Sequence, residues 1–209
     1  MSMQSDIKQS DTTPSVNSSL SGDLVPIEFK LFKTREEIAQ YVNKLGQEIS
    51  TWLSQLPENE RVIAMPIMRG AFFFGADLLR AVNSPVQISP YRVKRYDATT
   101  NKPLNDIEKL DDFDVDVRGR QILLIDDICD TGITLHRLTN ALKELGATEV
   151  RSSVLIRREI PEVETFSPEY VGIHYSGPEY FVGYGLDNMD SWRNTPDLYI
   201  MEPVVSETK

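Results

Sequence analysis

Hydrophobic positions along the chain follow two kinds of spacing. Between Thr34 and Leu56, apolar residues recur three or four positions apart, which predicts a helix with one buried face. Thr34 and Glu37 have the spacing of a capping box, which marks the start of this helix. The run VIAMPI, residues 62–67, is apolar throughout and too short for such a helix. It is typical of a strand that is buried on both faces of a sheet.

The rest of the chain continues this alternation of strands and helices. Helices are predicted at 71–82 and 134–146, the second ending at Gly146. A turn and an extended segment follow the first of these helices. Strands are predicted at 121–125, 149–158, 170–175, 180–185 and 197–201. The pattern predicts an α/β fold, a mainly parallel sheet with helices on both of its faces.

Two polar stretches interrupt the pattern. Residues 1–23 are rich in Ser, Thr, Asn, Asp and Gln and cannot bury enough apolar surface to offset ordering, so we expect a flexible tail before a single domain at 24–209. Residues 95–119 form a long polar segment with weak patterning. A loop of that length inside a compact domain is usually functional or mobile.

Composition narrows the class of protein. The chain has 209 residues, of which 40% are hydrophobic, and this suits one domain. There is one cysteine, Cys129, and neither a signal-peptide core nor an apolar run of membrane-span length, so we expect a cytoplasmic protein without a membrane partner. The net charge of -10 disfavours nonspecific nucleic-acid binding, and no nucleic-acid partner is expected.

The stretch ILLIDDICDTGITL, residues 122–135, carries the candidate chemistry. Asp126 and Asp127 are expected just beyond the carboxyl end of a buried strand, where open α/β sheets bind ligands. After Asp130, the segment 131–134 opens a helix whose unpaired backbone N–H groups favour a phosphate. An acidic turn that merely caps the helix would explain one Asp or Thr, but not three acids before a donor-rich turn. Carboxylates bind sugar hydroxyls and Mg²⁺, so the stretch predicts a sugar-phosphate site.

This stretch resembles the phosphoribosyl-pyrophosphate signature of the type I phosphoribosyltransferases. Residues 62–82, VIAMPIMRGAFFFGADLLRAV, resemble the strand, pyrophosphate loop and helix of the hypoxanthine-guanine branch. Residues 180–201, YFVGYGLDNMDSWRNTPDLYIM, resemble its base-binding hood and C-terminal metal region. The resemblance covers roughly residues 25–203 in the same order. It implies the type I phosphoribosyltransferase fold with a small hood subdomain.

The resemblance also implies an activity, purine salvage. The 5-phosphoribosyl group of phosphoribosyl pyrophosphate would pass to hypoxanthine or guanine, giving IMP or GMP and pyrophosphate. Asp130 would be the catalytic base, while Asp126 and Asp127 would engage the ribose hydroxyls and a Mg²⁺. The peptide between Met68 and Arg69 is expected to be cis. The phosphoribosyl-pyrophosphate site implied is Met68, Arg69, Gly70, Asp126, Asp127, Asp130, Thr131, Gly132, Ile133, Thr134 and Arg193.

For the purine, the resemblance implies stacking on Tyr180 and a base edge against the Phe181 backbone. Asp187 would contribute at the purine side of the site as ligand of a second Mg²⁺. Arg157 stands where the family has a lysine that contacts the purine O6, and it would bind the purine. The mobile loop would include Arg95 and Tyr96, where the family often has Ser-Ser-Tyr-Gly.

The sequence is also compatible with other functions. Because Arg157 replaces a lysine, xanthine-guanine preference is the nearest alternative. Some phosphoribosyltransferase-like proteins are RNA-binding regulators, although the acidic balance and the hood sequence YFVGYGLD argue against that here. A catalytically silent nucleotide sensor is a third reading, which the presence of Asp130 does not favour. By analogy with the family, we expect a homodimer or homotetramer.

Overall fold

The structure is a computed structural model that describes residues 27–57, 60–92, 113–159 and 166–203. The predicted tail, 1–23, and the predicted loop residues Arg95 and Tyr96 lie outside the described residues. Within them, the helices and strands follow one another in this order: β1 (Ile27–Lys33), α1 (Arg35–Leu53), β2 (Ile63–Met68), α2 (Phe72–Ala81), β3 (Gln87–Ile88), β4 (Tyr91–Arg92), β5 (Gln121–Cys129), α3 (Ile133–Glu144), β6 (Glu149–Arg158), β7 (Tyr170–Tyr175), β8 (Tyr180–Val182) and β9 (Leu198–Pro203).

A six-stranded parallel sheet forms the centre of the fold. Its strands run in the order β3-β2-β5-β6-β7, and β4 pairs with the end of β2. The strand order changes direction between β2 and β5. The loops after these two strands therefore leave the carboxyl edge of the sheet toward opposite faces, one to α2 and the other to α3. This confirms the predicted α/β fold with a mainly parallel sheet. It also places the crevice that such sheets use for ligands beside β2 and β5.

Both faces of the sheet are buried, as the unbroken apolar runs predict. On β5, Leu123 and Ile125 pack into the cluster formed with α1 and α2, whereas Ile122 and Leu124 pack against α3. Alternate residues of a strand point to opposite faces, so an all-apolar run needs a helix layer on each side. Helices therefore cover both faces, as predicted.

Helix α1 begins where the capping box places it. The Glu37 backbone N–H donates to Thr34 Oγ1 at 3.2 Å, and the Thr34 backbone N–H donates to Glu37 Oε2 at 3.0 Å. The helix buries one stripe against the sheet, made of Ile38, Val42, Leu45, Ile49, Trp52 and Leu53. No helix in the described part of the chain has both the length and the apolarity to cross a membrane.

A second, antiparallel sheet of three strands forms the hood. Its strands run in the order β1-β9-β8, and the loop at 183–197 completes it. This confirms the predicted hood subdomain. Strand β1, however, was not predicted as part of it, because its partner β9 lies more than 160 residues away in register, with Phe29 opposite Met201.

One boundary that matters for the site was predicted wrongly. Strand β5 does not end at Ile125 but continues to Cys129, and its register pairs Asp126 with Val154 and Ile128 with Ile156. The neighbouring strand β6 is apolar from Val154 to Ile156 and supplies backbone partners that the sequence of β5 alone does not reveal. Asp126 and Asp127 therefore lie within the last residues of the strand, and the turn begins at Asp130.

Candidate active site at the carboxyl edge of the sheet

The two acids on β5 are held by the strand itself. The Asp127 backbone N–H donates to Asp126 Oδ1 at 3.0 Å, and the Ile128 backbone N–H donates to Asp127 Oδ1 at 2.9 Å. Burial raises the pKa of Asp127, and these hydrogen bonds and the positive charge of Arg193 counteract only part of the rise. A cation or a set of hydroxyl donors at this carboxylate would stabilise its ionised form.

The loop Met68–Gly70, called here the pyrophosphate loop, packs directly against these acids. The Met68–Arg69 peptide is cis, as expected from the resemblance. A Cβ built on Gly70 would lie 2.5 Å from Asp127 Cγ, closer than real Cβ atoms approach any neighbour. A Cβ on Gly185, from the hood, would in turn overlap the Gly70 carbonyl oxygen. Glycines therefore let three segments meet at one point.

The segment Asp130–Thr134, called here the phosphate turn, leads into α3. Gly132 is the N-cap of this helix with φ of +75°, and no side chain among the described residues caps the helix. A Cβ on Gly132 would also approach the Phe166 carbonyl oxygen to 2.8 Å. Within the described part of the chain, the Ile133 backbone N–H makes one long contact, of 3.4 Å to Thr131 Oγ1. The first turn of α3 thus presents backbone donors and the positive end of the helix dipole, as an anion site requires.

Asp130 is paired with a residue that sequence reasoning missed. Arg158 Nε donates to Asp130 Oδ1 at 2.7 Å, and the side chains are 13% exposed for Arg158 and 52% for Asp130. Within the described residues, no other hydrogen bond to the Asp130 carboxylate occurs, so Oδ2 has no protein partner there and half of the side chain is exposed. The sequence does contain a signal for Arg158, the Arg-Arg pair at the end of β6. Adjacent residues of a strand point to opposite faces of the sheet, so the two arginines cannot both have the role given to Arg157.

Arg157, the first of that pair, lies behind the phosphate turn. It is opposite Cys129 in the β5–β6 register and is 6% exposed. Its Nη1 donates to the Asp130 carbonyl oxygen at 3.0 Å and to Cys129 Sγ at 3.1 Å. Its Nε and Nη2 make no hydrogen bond within the described residues. Burial raises the pKa of the Cys129 thiol, which remains a small buried group.

Strand β8 gives Tyr180 and Phe181 opposite environments. Tyr180 is 57% exposed, whereas Phe181 is 2% exposed and packs against Phe32 and Tyr175 with ring centroids at 5.3 and 4.9 Å. Phe181 is therefore a core residue through its side chain, which leaves only its backbone for a ligand. The Tyr180 ring is the one placed on the surface of the hood.

The loop after β8 carries Asp187 and Arg193 as an ion pair. Arg193 Nη2 lies 2.6 Å from Asp187 Oδ1, and both side chains are about three-quarters buried, at 24% and 25% exposure. Arg193 Nη1 donates to the Gly185 carbonyl oxygen at 2.6 Å, while Asp187 Oδ2 accepts from the Asp190 backbone N–H at 2.9 Å. Arg193 therefore braces the glycine that touches the pyrophosphate loop.

A second contact joins this loop to the pyrophosphate loop. Arg69 Nη2 lies 2.7 Å from Asp190 Oδ1, and both side chains are well exposed. Asp190 was not among the predicted site residues, and nothing in its sequence position distinguishes it from a surface acid. Together these contacts bring the acids of β5, the two loops and the hood to the edge formed by the ends of β2 and β5.

The carboxylates suit a cation that takes most of its ligands from a substrate. No three His, Cys, Asp or Glu side chains converge on one point in the described part of the chain. Mg²⁺ commonly takes one or two protein carboxylates and completes its shell with waters and phosphate oxygens. Asp126 with Asp127 on one side, and Asp187 on the other, fit that mode of binding.

Comparisons with known proteins agree with this geometry. Residues 36–187 match the family model described as the phosphoribosyl transferase domain. The chain is 31% identical over 173 residues to the hypoxanthine-guanine phosphoribosyltransferase of Aquifex aeolicus, covering 83% of this chain and 94% of that protein. It is 29% identical over 181 residues to the protein of the same name from Bacillus subtilis, covering 86% and 96%.

A solved structure of hypoxanthine phosphoribosyl transferase from Trypanosoma cruzi has a similar fold. Its TM-score is 0.71 at 26% identity, covering 83% of this chain and 91% of that one. That structure concerns the role of the C-terminal region in the oligomeric state and enzymatic activity of the Trypanosoma cruzi protein.

Proposed function

The chain belongs to the phosphoribosyltransferase family, and we propose that it transfers the 5-phosphoribosyl group of phosphoribosyl pyrophosphate to hypoxanthine or guanine. The products are IMP or GMP and pyrophosphate, a purine salvage reaction. One observation carries this proposal above the rest. The pyrophosphate loop, the acids of β5 and the phosphate turn lie around one edge of the sheet, with Gly70 packed on Asp127.

Each part of the phosphoribosyl pyrophosphate molecule has a chemically suited segment at this edge. The 5-phosphate binds the backbone N–H groups of the phosphate turn, residues 130–134, at the start of α3. The ribose hydroxyls donate to Asp126 and Asp127. The pyrophosphate group lies along the pyrophosphate loop, Met68–Gly70, and Arg193, which donates to the Gly185 carbonyl oxygen beside that loop, supplies a positive charge. This order follows the path from α3 across β5 to the loop after β2.

The purine lies between the hood and Asp130. Its face stacks on the Tyr180 ring, and its edge meets the Phe181 backbone. Arg157 is the candidate donor to the O6 of a 6-oxopurine, through the nitrogens that its contacts with Cys129 and Asp130 leave unused. A 6-amino group would place a donor against these donors. Arg157 would therefore disfavour adenine, which has an amino group in place of the O6.

In the reaction, the purine nitrogen attacks C1 of the ribose as the bond from C1 to pyrophosphate breaks. Asp130 accepts the proton of that nitrogen at Oδ2, while its Oδ1 stays paired with Arg158. The carboxylates Asp126 and Asp127 favour the positive charge that develops on the ribose ring. The protein thus supplies a proton acceptor on one side of the sugar and anion binding on the other.

We further propose Mg²⁺ as the cofactor. Asp126 and Asp127 would hold one ion with the ribose hydroxyls, and Asp187 would hold a second near the pyrophosphate. When bound, the metal neutralises the charge that accumulates on the leaving pyrophosphate.

Assembly and location are also proposals. A homodimer or homotetramer is proposed, and light scattering of the purified protein measures it directly. The free thiol of Cys129 is compatible with a reducing compartment, and we propose the cytoplasm. Tagged protein located in cell fractions tests this.

The deciding experiment for the reaction is a parallel assay of five bases. Purified protein, phosphoribosyl pyrophosphate and Mg²⁺ are incubated with hypoxanthine, guanine, xanthine, adenine or uracil, and nucleotide products are quantified. Hypoxanthine and guanine should react and adenine should not. An unpaired buried donor costs about 1–3 kcal/mol, which corresponds to roughly 5- to 150-fold in specificity. Adenine turnover at the rate of hypoxanthine would contradict the proposal. A preference for xanthine would instead support the alternative of a xanthine-guanine phosphoribosyltransferase.

A further inference from the structure

Arg158 connects the phosphate turn to the hood through every part of its guanidinium group. Nε donates to Asp130 Oδ1 at 2.7 Å, Nη1 donates to the Gly177 carbonyl oxygen, and Nη2 donates to the Glu179 carbonyl oxygen at 3.0 Å. The two carbonyls belong to the segment that leads into Tyr180. One side chain therefore touches both the proposed proton acceptor and the backbone just before the proposed stacking ring.

The guanidinium plane is fixed from the sides as well. Arg158 Cζ lies 5.3 Å from the centre of the Phe181 ring and 5.8 Å from that of Tyr175. Tyr175 is itself held by a 2.5 Å hydrogen bond from its hydroxyl to Glu179 Oε2. A planar group with three donors engaged and two rings beside it has one available orientation, which a lysine at this position cannot reproduce.

We propose that Arg158 is a positioning residue for the transfer reaction, holding Asp130 and the Tyr180 segment in fixed relation to each other. This inference rests on the proposed function. By occupying Oδ1, Arg158 directs Oδ2 at the purine nitrogen, and by holding residues 177–179 it sets where the purine face rests. Purine position and proton acceptor are thus aligned by one side chain that touches neither substrate.

Such a role predicts a specific division of kinetic effects. Arg158→Gln should lower kcat with hypoxanthine on the order of 10- to 100-fold, below the usual full range of about 10²–10⁴ for losing a general base, because Asp130 is still present. KM for hypoxanthine should rise severalfold. KM for phosphoribosyl pyrophosphate should stay within about twofold, because Arg158 contacts the phosphate turn only through the Asp130 side chain, whereas the 5-phosphate is proposed to bind the backbone N–H groups of that turn. Arg158→Lys should recover part of kcat by restoring a charge beside Asp130, but not KM for hypoxanthine.

A double-mutant cycle separates this role from simple structural support. In an Asp130→Asn background, Arg158→Gln should change kcat by less than about twofold, because the group through which it acts is gone. The rise in KM for hypoxanthine should persist in that background, because it comes from the hood contacts. An equal fall in kcat in both backgrounds overturns the proposal, as does an equal rise in KM for both substrates.

Arg151→Gln is the matched control. Arg151 lies on the same strand, with Nε 2.7 Å from Glu149 Oε1, a hydrogen bond to the Tyr170 hydroxyl and a ring contact to Trp52 at 4.6 Å, but it lies at the opposite end of β6. Arg151→Gln should lower stability but should not reproduce the fall in kcat and the selective rise in KM for hypoxanthine that are predicted for Arg158→Gln. If Arg158→Gln does not fold, Arg158→Lys carries the test alone, and wild-type kinetics in that variant refute the inference. An inactive wild-type protein would instead refute the proposed function.

Discussion

Replacing Gly70 by Ala should separate the pyrophosphate loop from the acids of β5. The added Cβ would lie 2.5 Å from Asp127 Cγ and 2.7 Å from Asp127 Oδ1, so either the Asp127 carboxylate must leave its hydrogen bond to the Ile128 backbone N–H or the two segments must move apart. The backbone of Gly70 is not in the positive-φ region, so conformational strain does not contribute. The predicted effect is therefore steric and local to the contact on which the proposed site depends.

The expected magnitude follows from this overlap. Forcing extra atoms into a packed contact typically costs about 1–3 kcal/mol. For a chain of this size each kcal/mol lowers Tm by about 2–4 °C, so Tm should fall by about 2–12 °C. A displacement of roughly 1 Å at a substrate-positioning segment can cost about 10²-fold, and kcat/KM for phosphoribosyl pyrophosphate should fall on that scale.

Thermal unfolding and steady-state kinetics measure the two effects. Gly75→Ala, in the neighbouring helix α2, is the matched control, because its Cβ would approach Pro66 only to 3.2 Å. That variant gains about 0.5–1 kcal/mol of helix preference, which offsets its tighter packing. In an Asp127→Ala background, Gly70→Ala should cost little stability. Wild-type Tm and kinetics for Gly70→Ala would refute the described contact.

Three further predictions concern metal, pH and folding. Exhaustive chelation should abolish transfer, because Asp126, Asp127 and Asp187 face a substrate rich in phosphate; full turnover without divalent cation would exclude the metal role. Burial and the bond to Glu179 raise the pKa of Tyr175 to about 12, so its contribution to stability is complete below the ordinary value of about 10 and is lost as pH rises from about 10 to 12. Tyr175→Phe should show a smaller fall in unfolding free energy over that range by urea denaturation, and an equal fall contradicts this. Thr34→Ala should lower the unfolding free energy by about 1 kcal/mol, with transfer kinetics unchanged, through loss of the capping box.

The parallel sheet could be predicted from sequence because its signals are local. The central strands β2 and β5 contain apolar runs, and each helix has a periodic stripe. The Thr34–Glu37 capping box appears in the structure with both of its hydrogen bonds. The resemblance added the order of the functional segments and the cis peptide at Met68–Arg69. These features can be predicted from local sequence, without knowing which distant segments pair with them.

Features set by distant partners could not be predicted in the same way. Strand β5 extends to Cys129 because β6 offers partners beside it, and β1 joins the hood because β9 pairs with it from the other end of the chain. The choice between Arg157 and Arg158 as the partner of the Asp130 carboxylate depends on the alternation of β6 side chains against the hood. The pairing of Arg69 with Asp190 joins residues 121 positions apart.

The most direct test of the account compares Asp130→Asn with the wild-type protein in transfer and in binding. Asn keeps the size of the side chain and can still accept a hydrogen bond from Arg158, so the phosphate turn should be preserved. The rate of IMP formation from hypoxanthine should fall by up to about 10²–10⁴-fold, while calorimetric affinity for phosphoribosyl pyrophosphate with Mg²⁺ should be nearly unchanged. If Asp130→Asn turns over at the wild-type rate across pH, Asp130 is not the proton acceptor and the acidic stretch needs another explanation.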